Sequence, residues 1–192
     1  MRYAINIPHF GGCADARILA DLARDAEQAG WDGFFIWDHF AMGWPDPVVD
    51  PWIALTAIAM QTRRIRIGAL VTPLARRRPW KVARETVSLD RLSGGRLIFG
   101  VGTGMFEAEF GHLGDPADPK VRGAMLDEGL EVLAGLWSGE KFSYLGEHYT
   151  IKEAWFMPKP LQQPRIPVWV AGKWPNKTPF RRAARWDGVF PI

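Results

Sequence analysis

The sequence predicts an α/β fold of the TIM-type β/α barrel kind. Short apolar runs alternate with helical segments along the chain, and those runs are apolar on both faces, as strands of a helix-covered parallel sheet are. Chemistry-bearing residues follow several different strands rather than one glycine-rich turn, which favours a barrel over a doubly wound sheet. The stretch from Asp90 to Gly104 shows one whole unit: a helix end, the break Ser93-Gly94-Gly95, the strand-like run Arg96 to Val101, and the loop Gly100-Val101-Gly102-Thr103-Gly104.

Taken in order, Tyr3-Ala4-Ile5-Asn6-Ile7 is a short β-prone run, and Pro8 to Gly12 breaks it. Asp15 to Gln28 is a helix, because Ile18, Leu19, Leu22 and Ala26 recur at helical spacing while Asp21, Arg24, Asp25 and Glu27 are free to face water. Gly30 stops it, since glycine takes a left-handed cap at little cost. Gly33-Phe34-Phe35-Ile36-Trp37 is the second strand, Pro51 to Met60 a helix with proline in its first turn, and Ile65 to Val71 the third strand. Val82 to Leu92 is the next helix, Leu97 to Val101 the fourth strand, and Met125 to Trp137 a helix striped by Leu126, Leu130, Leu133 and Leu136. Pro167 to Ala171 is the fifth strand, Phe180 to Arg185 a short helix, and Gly188-Val189-Phe190 the start of a sixth strand.

Between the fourth and fifth strands, Met105 to Lys120 carries Gly111, Gly114, Pro116 and Pro119 and reads as a long loop able to cover a pocket. Phe142-Ser143-Tyr144 and His148-Tyr149-Thr150-Ile151 flank Leu145-Gly146-Glu147 as a small hairpin. A complete eight-stranded barrel takes about 250 residues, and the chain has 192 residues with 47% hydrophobic content. The expectation is therefore one domain, residues 1–192, forming an incomplete barrel truncated after about six strands, with a loop and hairpin insertion at 105–151. The ending, Trp186 to Ile192, falls within or just beyond a strand.

The formal charge of +3 is a weak argument for an anionic partner, and Arg63, Arg64, Arg66, Arg76, Arg77, Arg78, Lys81 and Arg84 supply much of the basic character. A solvated helix edge explains most of these arginines as well as a ligand role does. A basic surface joined to a recognition element is missing, so nucleic-acid binding is not expected. Neither a secretory signal nor an apolar run of membrane-spanning length stands out. The one cysteine, Cys13, excludes an internal disulfide and suits a reducing cytoplasm.

Several motifs in this order carry a specific resemblance. Asp38-His39-Phe40, Val71-Thr72-Pro73, Leu89 to Arg96 followed by Gly100 to Gly104, then Ala171-Gly172 and Asp187-Gly188 resemble the bacterial luciferase-like flavin- or F420-dependent oxidoreductases. The resemblance implies an incomplete β/α barrel with FMN or the deazaflavin F420 at the carboxyl ends of the strands.

Within that frame His39 and Asp38 are the candidate catalytic residues, because a carboxylate beside an imidazole can orient a donor or move a proton near neutrality. The alternative is that Asp38 holds the loop while His39 packs against Trp37 and Trp44. After the third strand, Ala69, Leu70 and Thr72 resemble the bulge behind the isoalloxazine ring, with a non-proline cis peptide between Ala69 and Leu70. An ordinary strand end closed by Pro73 is the other reading.

Gly102, Thr103 and Gly104 permit close approach of backbone to ligand, and the Thr103 hydroxyl can bond a polar edge. This run lacks the full dinucleotide fingerprint and follows the fourth strand, which argues against a nicotinamide site. Ala171 and Gly172 offer backbone N–H groups ahead of the next short helix, with Lys173 and Lys177 nearby. No metal site is expected.

The resemblance implies a monooxygenase that oxidises a small organic substrate with reduced FMN and oxygen, supplied by a flavin reductase. F420-dependent hydride transfer is the alternative, as is a noncatalytic ligand-binding or structural relative. A homodimer through the early helices is also implied. Trp37, Phe40, Trp44, Trp52 and Phe106 are candidates for an apolar mouth.

Overall fold

The computed structural model of the chain describes residues 1–41, 43 and 45–192. Trp44, expected beside His39, lies outside them. The first half alternates β1 (Ala4–Ile7), α1 (Ala16–Gln28), β2 (Gly33–Ile36), α2 (Pro51–Gln61), β3 (Arg66–Ala69) and β4 (Thr72–Pro73), then α3 (Pro79–Leu92) and β5 (Phe99–Gly102). The second half contains α4 (Pro119–Trp137), the strands β6 (Phe142–Leu145) and β7 (Thr150–Ala154), then β8 (Val168–Gly172), α5 (Lys177–Ala183) and β9 (Gly188–Pro191).

The sheet runs β1-β2-β3 and then β4-β5-β8-β9, every pair parallel. A parallel bridge between Ile67 and Leu97 joins the two parts, with the Ile98 N–H donating to the Ile67 carbonyl at 2.9 Å. Spatial order therefore follows chain order without a reversal, which is the wall of a β/α barrel and not a doubly wound sheet. β6 and β7 pair antiparallel as a separate hairpin. Gly68 and Gly100 make the close approach possible: a Cβ on Gly68 would strike the Ile98 carbonyl, and one on Gly100 the Ala69 carbonyl.

Three helices start earlier than hydrophobic periodicity alone predicts, because polar caps and X-Pro pairs set them. Asp118 accepts from the Lys120 N–H at 2.8 Å and Pro119 opens α4, six residues before the expected Met125. Pro79 opens α3 in place of Val82, and Asn176 caps α5 at Lys177 in place of Phe180. Asp50 caps α2 through the N–H groups of Trp52 and Ile53, both at 2.9 Å.

The expected third strand, Ile65 to Val71, is shortened to β3, β4 begins just past it at Thr72, and the expected cis peptide joins Leu70 to Val71. That corrects the expected Ala69–Leu70 position by one residue. The Leu70 N–H still donates to the Ile36 carbonyl at 2.8 Å, so the ladder against β2 holds through Leu70 and departs after it.

The core lies between the sheet and its helices, with Leu19, Phe34, Leu55, Ile58, Ile67, Phe99, Leu133 and Val168 fully or almost fully buried. Among the described residues, no helix is long and apolar enough to cross a membrane. Arg96 ties the sheet to α2 from inside. Its guanidinium donates to the carbonyls of Ser93 (2.6 Å), Ala59 (2.9 Å), Ile65 (3.1 Å) and Thr62 (3.1 Å) and to the Thr62 hydroxyl (2.8 Å). These carbonyls are helix-end and strand-entry groups that would otherwise be buried without a donor.

Arg96→Met keeps the stem and deletes the donors, so it is expected to lower unfolding free energy by about 3 kcal/mol. Urea denaturation monitored by tryptophan fluorescence checks this; a loss below about 0.5 kcal/mol would show that the carbonyls find other partners.

Candidate functional site

The carboxyl ends of β1, β2, β4, β5, β8 and β9 converge on a cavity of about 390 Å³, within the usual range for small-molecule sites. His39, Leu70, Gly102, Thr103, Gly104, Ala171 and Gly172, all anticipated from the sequence, line it. Asp38, Ala69 and Thr72 are buried and do not line it. Val71, Trp37, Phe106 and Phe190 give the cavity apolar walls, and Asn6, Lys173 and Asn176 add polar groups.

Each wall is placed by the backbone. Thr103 and Gly104 directly follow β5, where Thr72 and Pro73 of β4 pair with Val101 and Gly102. Gly104 has φ of +77°, a conformation that a side chain would strain, and a Cβ there would also strike the Phe110 ring. The Leu70–Val71 peptide presents both side chains to the cavity on the neighbouring strand.

His39 is held by a chain of buried charge. Its Nδ1 lies 2.9 Å from Glu109 Oε2, and the Phe40 N–H donates to the other Glu109 oxygen at 2.5 Å. Arg76 bridges two carboxylates, with Nη1 2.9 Å from Glu109 and Nη2 2.6 Å from Asp38. Arg77 adds a second contact to Asp38 at 2.9 Å. The guanidinium carbons of Arg76 and Arg77 lie 4.2 and 4.7 Å from the centre of the Phe40 ring, so both cations also pack on that face. His9, fully buried, meets the His39 peptide from the end of β1, with Nε2 3.1 Å from its carbonyl and 3.2 Å from its N–H.

Burial alone would push the Asp38 carboxyl up, but Arg77 and Arg76 outweigh it and hold it below its ordinary value. Burial likewise opposes charge on Glu109, yet the His39 hydrogen bond, the Arg76 charge and the Phe40 N–H bring it down. Burial pushes the His9 imidazole down, which favours its neutral form. The result is an imidazole on the cavity wall with Nδ1 engaged by a charged carboxylate.

Glu109 was missed in the sequence because it sits in an irregular segment, 70 residues from its partner His39. Arg76 and Arg77 read equally well as solvated cations; only the fold shows them closed over Asp38. The lone signal for Glu109 was an acidic residue beside Phe110 in a segment without helical spacing.

A family model described as luciferase-like monooxygenase matches residues 1–192. An F420-dependent glucose-6-phosphate dehydrogenase of Nakamurella multipartita is 33% identical, over 83% of this chain and 48% of its own length. The oxygenase component of a flavin-dependent trigonelline monooxygenase of Acinetobacter baylyi is 28% identical, over 84% of this chain and 44% of its own. The crystal structure of the monooxygenase RslO1 from Streptomyces bottropensis superposes with a TM-score of 0.83 at 27% identity, covering 96% of this chain and 57% of that one. The chain thus spans about half the length of the relatives it matches.

Because the folded-state values of Asp38 and Glu109 are depressed, their stabilisation is fully present above the ordinary carboxylate range near 4 and is lost as pH falls through the depressed values. Asp38→Asn is expected to cost roughly 3–5 kcal/mol at neutral pH, since it leaves buried arginines unbalanced, and to flatten the acid limb of stability. Unfolding midpoints between about pH 2 and pH 7 check both; an unchanged acid limb would show that Asp38 is not the charge Arg76 and Arg77 answer.

Proposed function

The chain belongs to the luciferase-like monooxygenase family, and on that premise we propose that its strand-end cavity seats a flavin-type ring, FMN or F420, for two-electron oxidation of a small organic substrate. The observation that carries this reading is the His39 imidazole on the cavity wall with Nδ1 engaged by buried Glu109. The residues present fit such a ring. Leu70 and Val71 offer an apolar shelf, Gly102 to Gly104 and Ala171-Gly172 offer backbone at its edges, and Lys173 and Asn176 offer polar groups to an anionic tail. When bound, the ring supplies the electron transfer.

His39 handles the proton. With Glu109 holding Nδ1–H, Nε2 accepts a proton from a substrate hydroxyl, and the cation formed on the imidazole faces a carboxylate that Arg76 keeps charged. Such a base suits dehydrogenation of an alcohol, which favours F420 and accords with the F420-dependent relative. Oxygenation with reduced FMN and a partner flavin reductase is the second reading, favoured by the apolar walls of Trp37, Phe106 and Phe190 that exclude water. A homodimer is supported by exposed Ile18 and Leu22 on α1 and Ile53 and Met60 on α2. A cytoplasmic setting suits free Cys13.

His39→Gln is expected to lower kcat by roughly 10²–10⁴-fold while ring affinity stays within a few-fold. Anaerobic F420 reduction with a panel of alcohols, against oxygen-dependent turnover with supplied reduced FMN, separates the two readings; full activity of His39→Gln in both would sink the role of His39. Lys173→Gln is expected to weaken FMN roughly tenfold, about 1.4 kcal/mol, and to leave uncharged riboflavin unchanged. Fluorescence titration reads the difference, and equal effects on both ligands would remove Lys173 from the tail site.

A further inference from the structure

A second hollow, of about 220 Å³, lies where residues 75–78 enter α3. Asp115 and Pro116 of the loop before α4, Met125 of α4 and Tyr149 of the β6–β7 hairpin complete its walls. None of these residues lines the strand-end cavity.

Three features there call for a ligand oxygen. Tyr149 is 3% exposed, and its hydroxyl has no hydrogen-bond partner. A buried phenol left without an acceptor is destabilising. Arg78 has no carboxylate within ion-pair distance among the described residues; its guanidinium carbon lies 5.8 Å from the centre of the Trp80 ring. Finally, α3 is fourteen residues long and begins at Pro79 without a side-chain cap or an acidic residue in its first turn, so its positive end lies just beyond Arg78.

The charged groups around the phenol are Arg78, Glu128 and Asp115. Glu128 is occupied by the N–H groups of Glu147, His148 and Tyr149 at 2.9 to 3.1 Å. Asp115 makes no ion pair among the described residues. Burial first, and then Glu128 and Asp115 against the opposing Arg78, push the Tyr149 hydroxyl up to about 12, so it is a donor throughout the physiological range.

We propose that this hollow is a binding site for a hydrogen phosphate ion. The Tyr149 O–H donates to one oxygen, the Arg78 guanidinium answers the charge, and the Asp115 carboxylate accepts a hydrogen bond from the P–O–H group that hydrogen phosphate keeps. Sulfate has the same shape and no proton to give at neutral pH, so Asp115 disfavours it. Asp115 thus turns an anion site into a phosphate-selective one.

Isothermal titration of the full chain with inorganic phosphate, and separately with sulfate, tests this. One phosphate per chain is expected, weakened roughly fivefold or more by Tyr149→Phe and by Arg78→Gln and unaffected by Lys173→Gln. Sulfate is expected to bind more weakly, and Asp115→Asn to bring the two anions together. The absence of phosphate binding would overturn the assignment. So would binding that Tyr149→Phe leaves untouched, or binding lost in Lys173→Gln, which would place the ion in the strand-end cavity. Tyr149→Phe removes an unpartnered hydroxyl and is expected to fold, which its circular dichroism and melting curve confirm independently.

Discussion

One buried carboxylate governs the upper face of this protein. Asp38, 1% exposed, is gripped by Arg76 and Arg77, and Arg76 in turn reaches Glu109. Removing charge from any one of these leaves another uncompensated in a medium that solvates it poorly. The residues after β2, the turn before α3 and the loop after β5 are thereby fixed to one another, although 71 positions of sequence separate the first from the last. His39 inherits its position from that lock, since its ring is tied to Glu109 and its peptide to His9. Such an arrangement preorganises a proton-handling group on a rigid support.

The cavity itself follows from a different constraint, the packing of parallel strands that must curve. Gly68 and Gly100 admit carbonyl oxygens from the neighbouring strand where any side chain would collide. Past that contact, β3 gives way to β4 at the Leu70–Val71 peptide, and β5 runs into Thr103 and Gly104. Backbone is brought to the cavity edge on both sides, and apolar side chains fill the rest of its wall. Polar backbone at the edges of an apolar slot is the chemistry a flat heteroaromatic ring requires.

Much of this was legible in the residues because it is local. Alternating periodicity marked the strands and helices, and Gly102, Gly104 and Gly172, with His39, marked cavity positions. What depends on distance in sequence was not legible. Glu109 finds its function only when its loop folds onto the end of β2, and Arg76 and Arg77 look like any surface cations until Asp38 lies beneath them. Asp38 itself read as a candidate at the chemistry, whereas the fold places it away from the cavity, among the arginines. The helix starts were misjudged for a physical reason as well: Asp118-Pro119 and Arg78-Pro79 initiate helices by backbone geometry, which a stripe of leucines does not report.

Everything proposed for the chemistry rests on the strand-end cavity taking up a flavin-type ring. Native mass spectrometry of the intact chain after incubation with FMN and F420 together tests it most directly, because chain mass, oligomeric state and adduct are read at once. One FMN or one F420 per chain is expected, and the identity of the adduct selects the chemistry. An intact, folded chain carrying neither would contradict it.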